Sequence, residues 1–266
     1  MPTRSLRTAA SGMYAQQINI QVISNNIANI NTTSFKKNRA DFKDLMYQEV
    51  GTTPLNSYMP GISENSNNRL QVGNGVQLAS TQKIFVQGDM TRTDNQMDVA
   101  IYGEGFFQVR KPDGKIGYTR DGALKLSADG TIVTSGGLVM EPGITLNDNY
   151  AAVMISRDGF VTARDSNGND VELGRFEIAK FVNYGGLESL GDNLYGETPA
   201  SGPPIIGNPG SEGYGETHQG FLEASNVDIV EEMISMITAQ RAYEINSKTV
   251  KTVEEMMTLA NNLKRT

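Results

Sequence analysis

The side chains able to carry chemistry are few and scattered. His218 is the only histidine in 266 residues and cysteine is absent, so neither a multi-histidine nor a thiolate metal site can form. Ser-His-Asp catalysis would rest on that one residue, whose Gly/Gln-rich surroundings read as a loop. Gly103-x-Gly105 lacks the third glycine and the following helix of a dinucleotide fingerprint, and no phosphate-loop pattern occurs. Asp113-Gly114, Asp121-Gly122 and Asp129-Gly130 recur eight residues apart, but none continues into the spaced carboxylates of an EF-hand calcium loop. They read as hairpin turns, continued by Asp158-Gly159 and Asn167-Gly168. A glycosidase pair needs two carboxylates, one with a raised pKa. The candidates Glu104 and Glu188 lie in Gly-rich sequence with no apolar run around them to raise it. The census therefore points to no cofactor, no metal and no enzyme.

The order in this chain lies in its ends. From Ile229, residues Ile229, Met236, Tyr243, Val250 and Met257 recur every seven positions, and Glu232, Ala239, Asn246, Val253 and Ala260 follow three later. That is an a/d heptad seam. Ser225, Asn226 and Asp228 stand where a helix needs caps, Ser225-x-x-Asp228 resembling a capping box. Glu231 and Glu232 suit the positive end of the helix dipole, as Lys264 and Arg265 suit the other. A further apolar row, Val230, Ile234 and Ile237, lies off the seam, and a helix apolar on two sides needs neighbours on two sides.

The N-terminus carries a matching seam: Leu6, Met13, Ile20 and Ile27, with Ala9, Gln16, Ile23 and Ile30 three residues after each. Ile18 and Val22 fall outside it. This first helix is predicted over Thr3 to about Ile30, with Ser11-Gly12 a place of close approach to another helix or simply a tolerated glycine. Arg4, Arg7, Lys36, Lys37 and Arg39 are basic, and nothing acidic precedes Asp41. Those charges fit attraction to the acid-rich start of the C-terminal helix, and equally a solvated face. Asn25, Asn26, Asn29 and Asn31 crowd the helix end, where asparagine caps and turns the chain.

Between the helices, Asp41–Tyr47 fits one short helix, and Gly51 to Asn68 has loop composition. Met97, Val99 and Ile101, then Phe107 and Val109, alternate with polar residues as strands do. Asn183 to Gly215 reads as a Gly/Pro-rich excursion. A net charge of −7 argues against nucleic acid as a partner. No run of eighteen apolar residues exists, so direct membrane insertion is not expected. Gln16, Gln17 and Asn19 interrupt the N-terminus, so no cleaved secretory signal is expected. The fold class is α+β: long, coiled-coil-like N- and C-terminal helices packed together, with a central, mainly antiparallel β domain. The divisions expected are 1–34 with 223–266 for the helical part, 35–75 for an extended connecting segment and 76–222 for the β domain.

Ser24-Asn-Asn-Ile-Ala-Asn-Ile-Asn-Thr32, followed by Phe35-Lys36, resembles the N-terminal motif of the bacterial flagellar rod and hook proteins. Glu223-Ala-Ser-Asn-Val-Asp228, Met236-Ile, Gln240-Arg-Ala-Tyr-Glu244 and Asn246-Ser-Lys248 resemble that family's C-terminal motif. Gly103-Glu-Gly-Phe-Phe-Gln-Val109, Tyr118-Thr-Arg-Asp-Gly122 and Gly186-Leu-Glu-Ser-Leu190 are similar to its distal-rod branch. The motif positions are Asn26, Asn29, Asn31, Phe35, Asn226, Asp228, Arg241 and Tyr243. The family usually has glycine before the Phe-Lys pair, where this chain has Ser34, so a left-handed turn there comes less cheaply.

The resemblance implies a structural subunit of the flagellar basal body, stacking helically with itself into a hollow shaft that crosses the periplasm and carries torque. It implies partners in the proximal rod and hook subunits, the surrounding bushing rings and the flagellar export apparatus, which passes the subunit unfolded. The polymerisation seams would then be Leu6, Met13, Ile20, Ile27, Met236, Tyr243, Val250 and Met257. Leu55, Tyr58, Met59 and Ile62, in a loop stiffened by Pro54 and Pro60, would brace neighbouring subunits. The alternatives are a proximal rod or hook subunit, and a cell-wall polysaccharide hydrolase.

Overall fold

The computed structural model describes residues 2–50, 70–146, 150–165 and 169–263. Two compact units divide the chain: Met1–Asn25, Asn38–Gln82 and Ile229–Thr266 form the first, and Asn26–Lys37 with Lys83–Asp228 the second. The class is α+β, two long helices and a mainly antiparallel β region.

The helix α1 spans Pro2–Ala28, all but its last three residues in the first unit, and α2 spans Ile229–Leu263 within that unit. The 35 residues of α2 make a rod roughly 52 Å long at 1.5 Å per residue. It begins directly after Asp228, with Glu231 and Glu232 in its first turn. The expected capping box is not formed, because the Ser225 hydroxyl is buried without a hydrogen-bond partner. Asn38–Asp44 pairs with Val76–Lys83, and Gln48–Val50 pairs antiparallel with Leu70–Val72. The expected short helix over Asp41–Tyr47 is therefore a strand through Asp44. Its four-residue polar and apolar mix fits either period, and pairing with Val76–Lys83 decides.

The second unit holds the core. Its largest sheet places strands in the order Glu188–Gly191, Leu194–Gly196, Ile116–Thr119, Phe106–Arg110, Val139–Met140, Ile132–Thr134 and Leu124–Leu126; Ile178–Lys180 joins Phe106–Arg110 to Ile205–Gly207. Part of the expected excursion over Asn183–Gly215 thus belongs to the sheet. Tyr150–Ile155, Phe160–Asp165 and Asp170–Arg175 form a separate meander. Asp113-Gly114, Asp129-Gly130 and Asp158-Gly159 close hairpins, each glycine at positive φ. Asp121-Gly122 does not. There a Cβ would stand 1.6 Å from the Val99 carbonyl oxygen, so glycine serves close approach rather than a turn. Asn167-Gly168 lies outside the described residues.

Val99, Ile101, Phe107 and Val109 point into one apolar cluster with Leu124, Ile132 and Phe176, as their alternation predicts. The intervening Phe106 and Gln108 are buried as well. Phe106 belongs to a second, aromatic cluster with Tyr118, Phe181 and Tyr195, edge-to-face with both Phe181 and Tyr195. The strand over Phe106–Arg110 is thus covered on both faces.

Candidate functional site

The two helices of the first unit bury one row and expose another. In α1, Ala9 and Ile23 of the seam are buried, along with Ala15, and Leu6, Met13 and Ile20 are half-buried. In α2, Glu232, Ala239 and Val253 are buried, Met236, Val250 and Met257 half-buried, and Tyr243 lies exposed. Gly12 is a point of close approach: a Cβ on it would come 2.9 Å from Nδ2 of Asn246, a seam position of α2. Beside it the Ser11 hydroxyl donates to the Thr8 carbonyl at 2.8 Å and accepts from the Val76 N–H at 3.3 Å. The off-seam row of α2 faces solvent, with Ile234 59% and Ile245 65% exposed and Val230 and Ile237 also open.

Three stretches far apart in sequence converge in the second unit. Lys36 precedes the strand Asn38–Asp44, Arg120 follows the strand Ile116–Thr119, and Glu223 ends the strand Phe221–Glu223. The Glu223 carboxylate accepts from the Lys36 ammonium, from the Gly88 N–H at 2.9 Å and from the Arg120 Nε–H at 2.8 Å. Both cations also donate to backbone: Lys36 to the Val86 carbonyl at 2.9 Å, and Arg120 to those of Gly105 at 3.0 Å and Gly103 at 2.9 Å. The side chains of Lys36 and Glu223 are 0% exposed and that of Arg120 7%, so the charges interact with little screening.

One carboxylate is thus shared by two cations. Burial by itself would raise the Glu223 pKa, but the charges of Arg120 and Lys36, with their hydrogen bonds, bring it below the usual carboxylate range. Burial lowers the Lys36 ammonium; Glu223 pulls it back up, Arg120 pushes it down, and the net direction is down. The two directions are consistent, because Lys36 has only a share of one anion.

Around this cluster the two ends of the second unit are laced together. Ser34 sits in the left-handed region at φ 56° although it is not glycine. Its N–H donates to the Glu223 carbonyl at 2.8 Å and its hydroxyl to the Arg120 carbonyl at 2.7 Å. The Asn226 amide donates to the carbonyls of Ile84 at 2.8 Å and Val86 at 3.0 Å and accepts from the Lys37 N–H at 2.7 Å. Gly88 fits only as glycine, since a Cβ would lie 2.1 Å from the Ala224 carbonyl oxygen.

Of the motif positions, Asn26 and Phe35 are buried, the latter with the Lys83 ammonium 5.1 Å from its ring centroid. Asn29 accepts from the Thr32 hydroxyl at 3.1 Å. Asn31, Asp228 and Arg241 are exposed. Ile27 is half-buried and belongs to the second unit. Leu55, Tyr58, Met59 and Ile62, like Lys264 and Arg265, lie outside the described residues. Lys36, Arg120 and Glu223 were not singled out by sequence reasoning, although each stands inside a recognisable motif. Lys36 in particular is not part of a solvated basic face. The signal available was a charged residue in each of three motifs, with nothing to say that the three meet.

Within the second unit the N- and C-terminal motifs meet in a buried structural junction. Three family models match: the flagella basal body rod protein over residues 6–36, the flagellar hook protein FlgE/F/G D1 domain over 100–163, and the flagellar basal body rod FlgEFG protein C-terminal over 218–263. The flagellar basal-body rod protein FlgG of Borreliella burgdorferi is 47% identical, covering 98% of this chain and 99% of its own length. That of Agrobacterium fabrum is 46% identical over 98% of this chain and all of its own, and that of Bacillus subtilis 38% over 98% and 99%. The chain belongs to the flagellar basal-body rod and hook protein family, and it is a structural subunit of the rod, not an enzyme. The hydrolase alternative falls with that assignment.

Proposed function

We propose that this distal-rod subunit polymerises helically with copies of itself into the hollow shaft that carries torque from motor to hook. In this reading α1 and α2 pack as coiled coils into the inner tube along Leu6, Met13, Ile20, Ile27, Met236, Tyr243, Val250 and Met257, and the β unit forms an outer layer. Proximal rod and hook subunits adjoin the two ends of the shaft, the bushing rings surround it, and the export apparatus delivers the chain unfolded without a cleaved signal. The observation that carries the proposal is the exposed row of α2, Val230, Ile234, Ile237 and Ile245. An apolar stripe on a helix already apolar on its other side implies a second neighbour. Ile234→Asp tests it, because a carboxylate at that exposed place leaves the monomer folded but is desolvated at every subunit contact. Circular dichroism should be unchanged and filaments should be lost in electron micrographs. Filaments at the normal yield would remove the second neighbour from the proposal.

The segment containing Leu55, Tyr58, Met59 and Ile62 we infer to brace adjacent subunits. The strands that flank it in sequence, Gln48–Val50 and Leu70–Val72, pair antiparallel within the first unit. Deleting residues 51–65 should leave the monomer's stability unchanged and give bent, flexible filaments. Straight ones would show the segment to be idle.

A further inference from the structure

Glu223 is reached only from distant parts of the chain, and it comes last. Lys36, Gly88 and Arg120, which supply its hydrogen bonds, all precede it, Lys36 by 187 residues and Arg120 by 103. In a chain that appears N-terminus first, the β strands around Arg120 are complete while Glu223 is still missing. Docking residues 33–36 at that stage would meet the correct polar partners. Thr33 has Asp121 for its hydroxyl at 2.9 Å and the Asn193 amide for its carbonyl at 3.0 Å, and the Ser34 hydroxyl has the Arg120 carbonyl. It would also place the Lys36 ammonium beside the Arg120 guanidinium with no anion between them, and two like charges there repel.

We propose that Glu223 is a keystone that delays closure of the N-terminal motif until the C-terminal motif has arrived. Its carboxylate converts a repulsive pair into a neutralised one, and the backbone pairs from Ser34 to Glu223 and from Asn226 to Phe35 then form in the same step. α1 ends at Ala28 and α2 begins at Ile229. The segments that continue into both helices are therefore fixed together and late. A half-made chain does not present a finished N-terminal junction.

The test follows hydrogen exchange in the full chain. In pulse labelling during refolding from urea, residues 106–119 should gain protection first, and residues 30–37 later, together with 221–227. Protection of 30–37 alongside 106–119 and ahead of 221–227 overturns the proposal. At equilibrium, Glu223→Gln should speed exchange of 30–37 at least tenfold relative to 106–119; a smaller change counts against the keystone. Adding Lys36→Met removes the uncompensated cation and should recover most of that loss. If the double variant exchanges within twofold of Glu223→Gln alone, the charge argument fails. Should Glu223→Gln not fold, folding of the double variant supports the proposal and its failure to fold overturns it.

Discussion

The two units spend their apolar residues differently. The second builds a closed core, in which Val99, Ile101, Phe107, Ile132 and Phe176 are each 0% exposed and Phe106–Arg110 is covered on both faces, while Val86, Val182 and Ile205 lie open outside it. The first buries few and leaves Val230, Ile234, Ile237, Ile245 and Leu259 open along α2. A unit with a buried core, like the second, can stand as a monomer, because burial of apolar surface is its main support. A unit like the first gains most of its support from neighbours, since isolated helices draw little stability from propensity alone. The contrast separates folding from assembly, and substitutions can therefore separate them experimentally.

The largest effect expected on the monomer is in the second unit. Phe107→Ala removes a ring packed edge-to-face on Phe176 at 6.1 Å between centroids and should cost about 3–5 kcal/mol, read from urea unfolding. Ile245→Ala in the exposed row of α2 should change monomer stability by less than about 0.5 kcal/mol and yet raise the concentration needed for assembly. If Ile245→Ala destabilised the monomer as much as Phe107→Ala, the division of labour between the units would be broken.

An acid titration sharpens the same contrast, because the buried cluster of Lys36, Arg120 and Glu223 is in the second unit. Glu223 is held below its ordinary value of 4.5, so the unfolded chain binds this proton more readily than the folded one. Its contribution is fully present above about pH 4.5 and is lost as pH falls through the lower folded value. Protonation leaves Lys36 and Arg120 without their anion, which is the interaction that the lowered Glu223 pKa expresses. The exchange protection of 106–119, relative to the intrinsic rate at each pH, should therefore fall below about pH 4.5 by more than that of α2. Glu223→Gln should remove this part of the acid dependence. An unchanged acid profile in that variant would mean that other carboxylates carry it.

The helical ends were legible because a seven-residue period repeats often enough to exceed chance. The buried Ala9, Ile23, Ala239 and Val253 all fall on its second row. Three Asp-Gly hairpins were legible because the turn dictates its residues locally. What was not legible depends on distant partners. Phe106 and Gln108 are inside because a second cluster covers the other face of their strand, which no local alternation reveals. Asp121-Gly122 has the composition of a turn and is a close contact with Val99. Lys36 reads as a surface lysine until Glu223 is brought to it, and the hydrophobic pattern around position 36 carries no trace of that meeting.

The smallest expected effect is at Ser34, where opposing contributions nearly cancel. A non-glycine residue in the left-handed region costs roughly 1–2 kcal/mol, which Ser34→Gly would relieve. Glycine also loses the buried hydroxyl that donates to the Arg120 carbonyl at 2.7 Å, worth about 0.5–1.5 kcal/mol, and leaves that acceptor without this donor. Glycine's greater freedom in the unfolded chain adds a further cost of roughly 0.5–1 kcal/mol. The expected net change for Ser34→Gly is within about 1 kcal/mol of zero. Ser34→Ala keeps the backbone penalty and loses the hydrogen bond, so it should be less stable than the parent by about 1–2 kcal/mol. Urea unfolding of the three proteins, read at the second unit, separates the backbone strain from the hydrogen bond. Alanine matching serine would make the hydroxyl idle, and glycine more stable than serine by over about 1 kcal/mol would mean that relief of backbone strain outweighs the lost hydrogen bond.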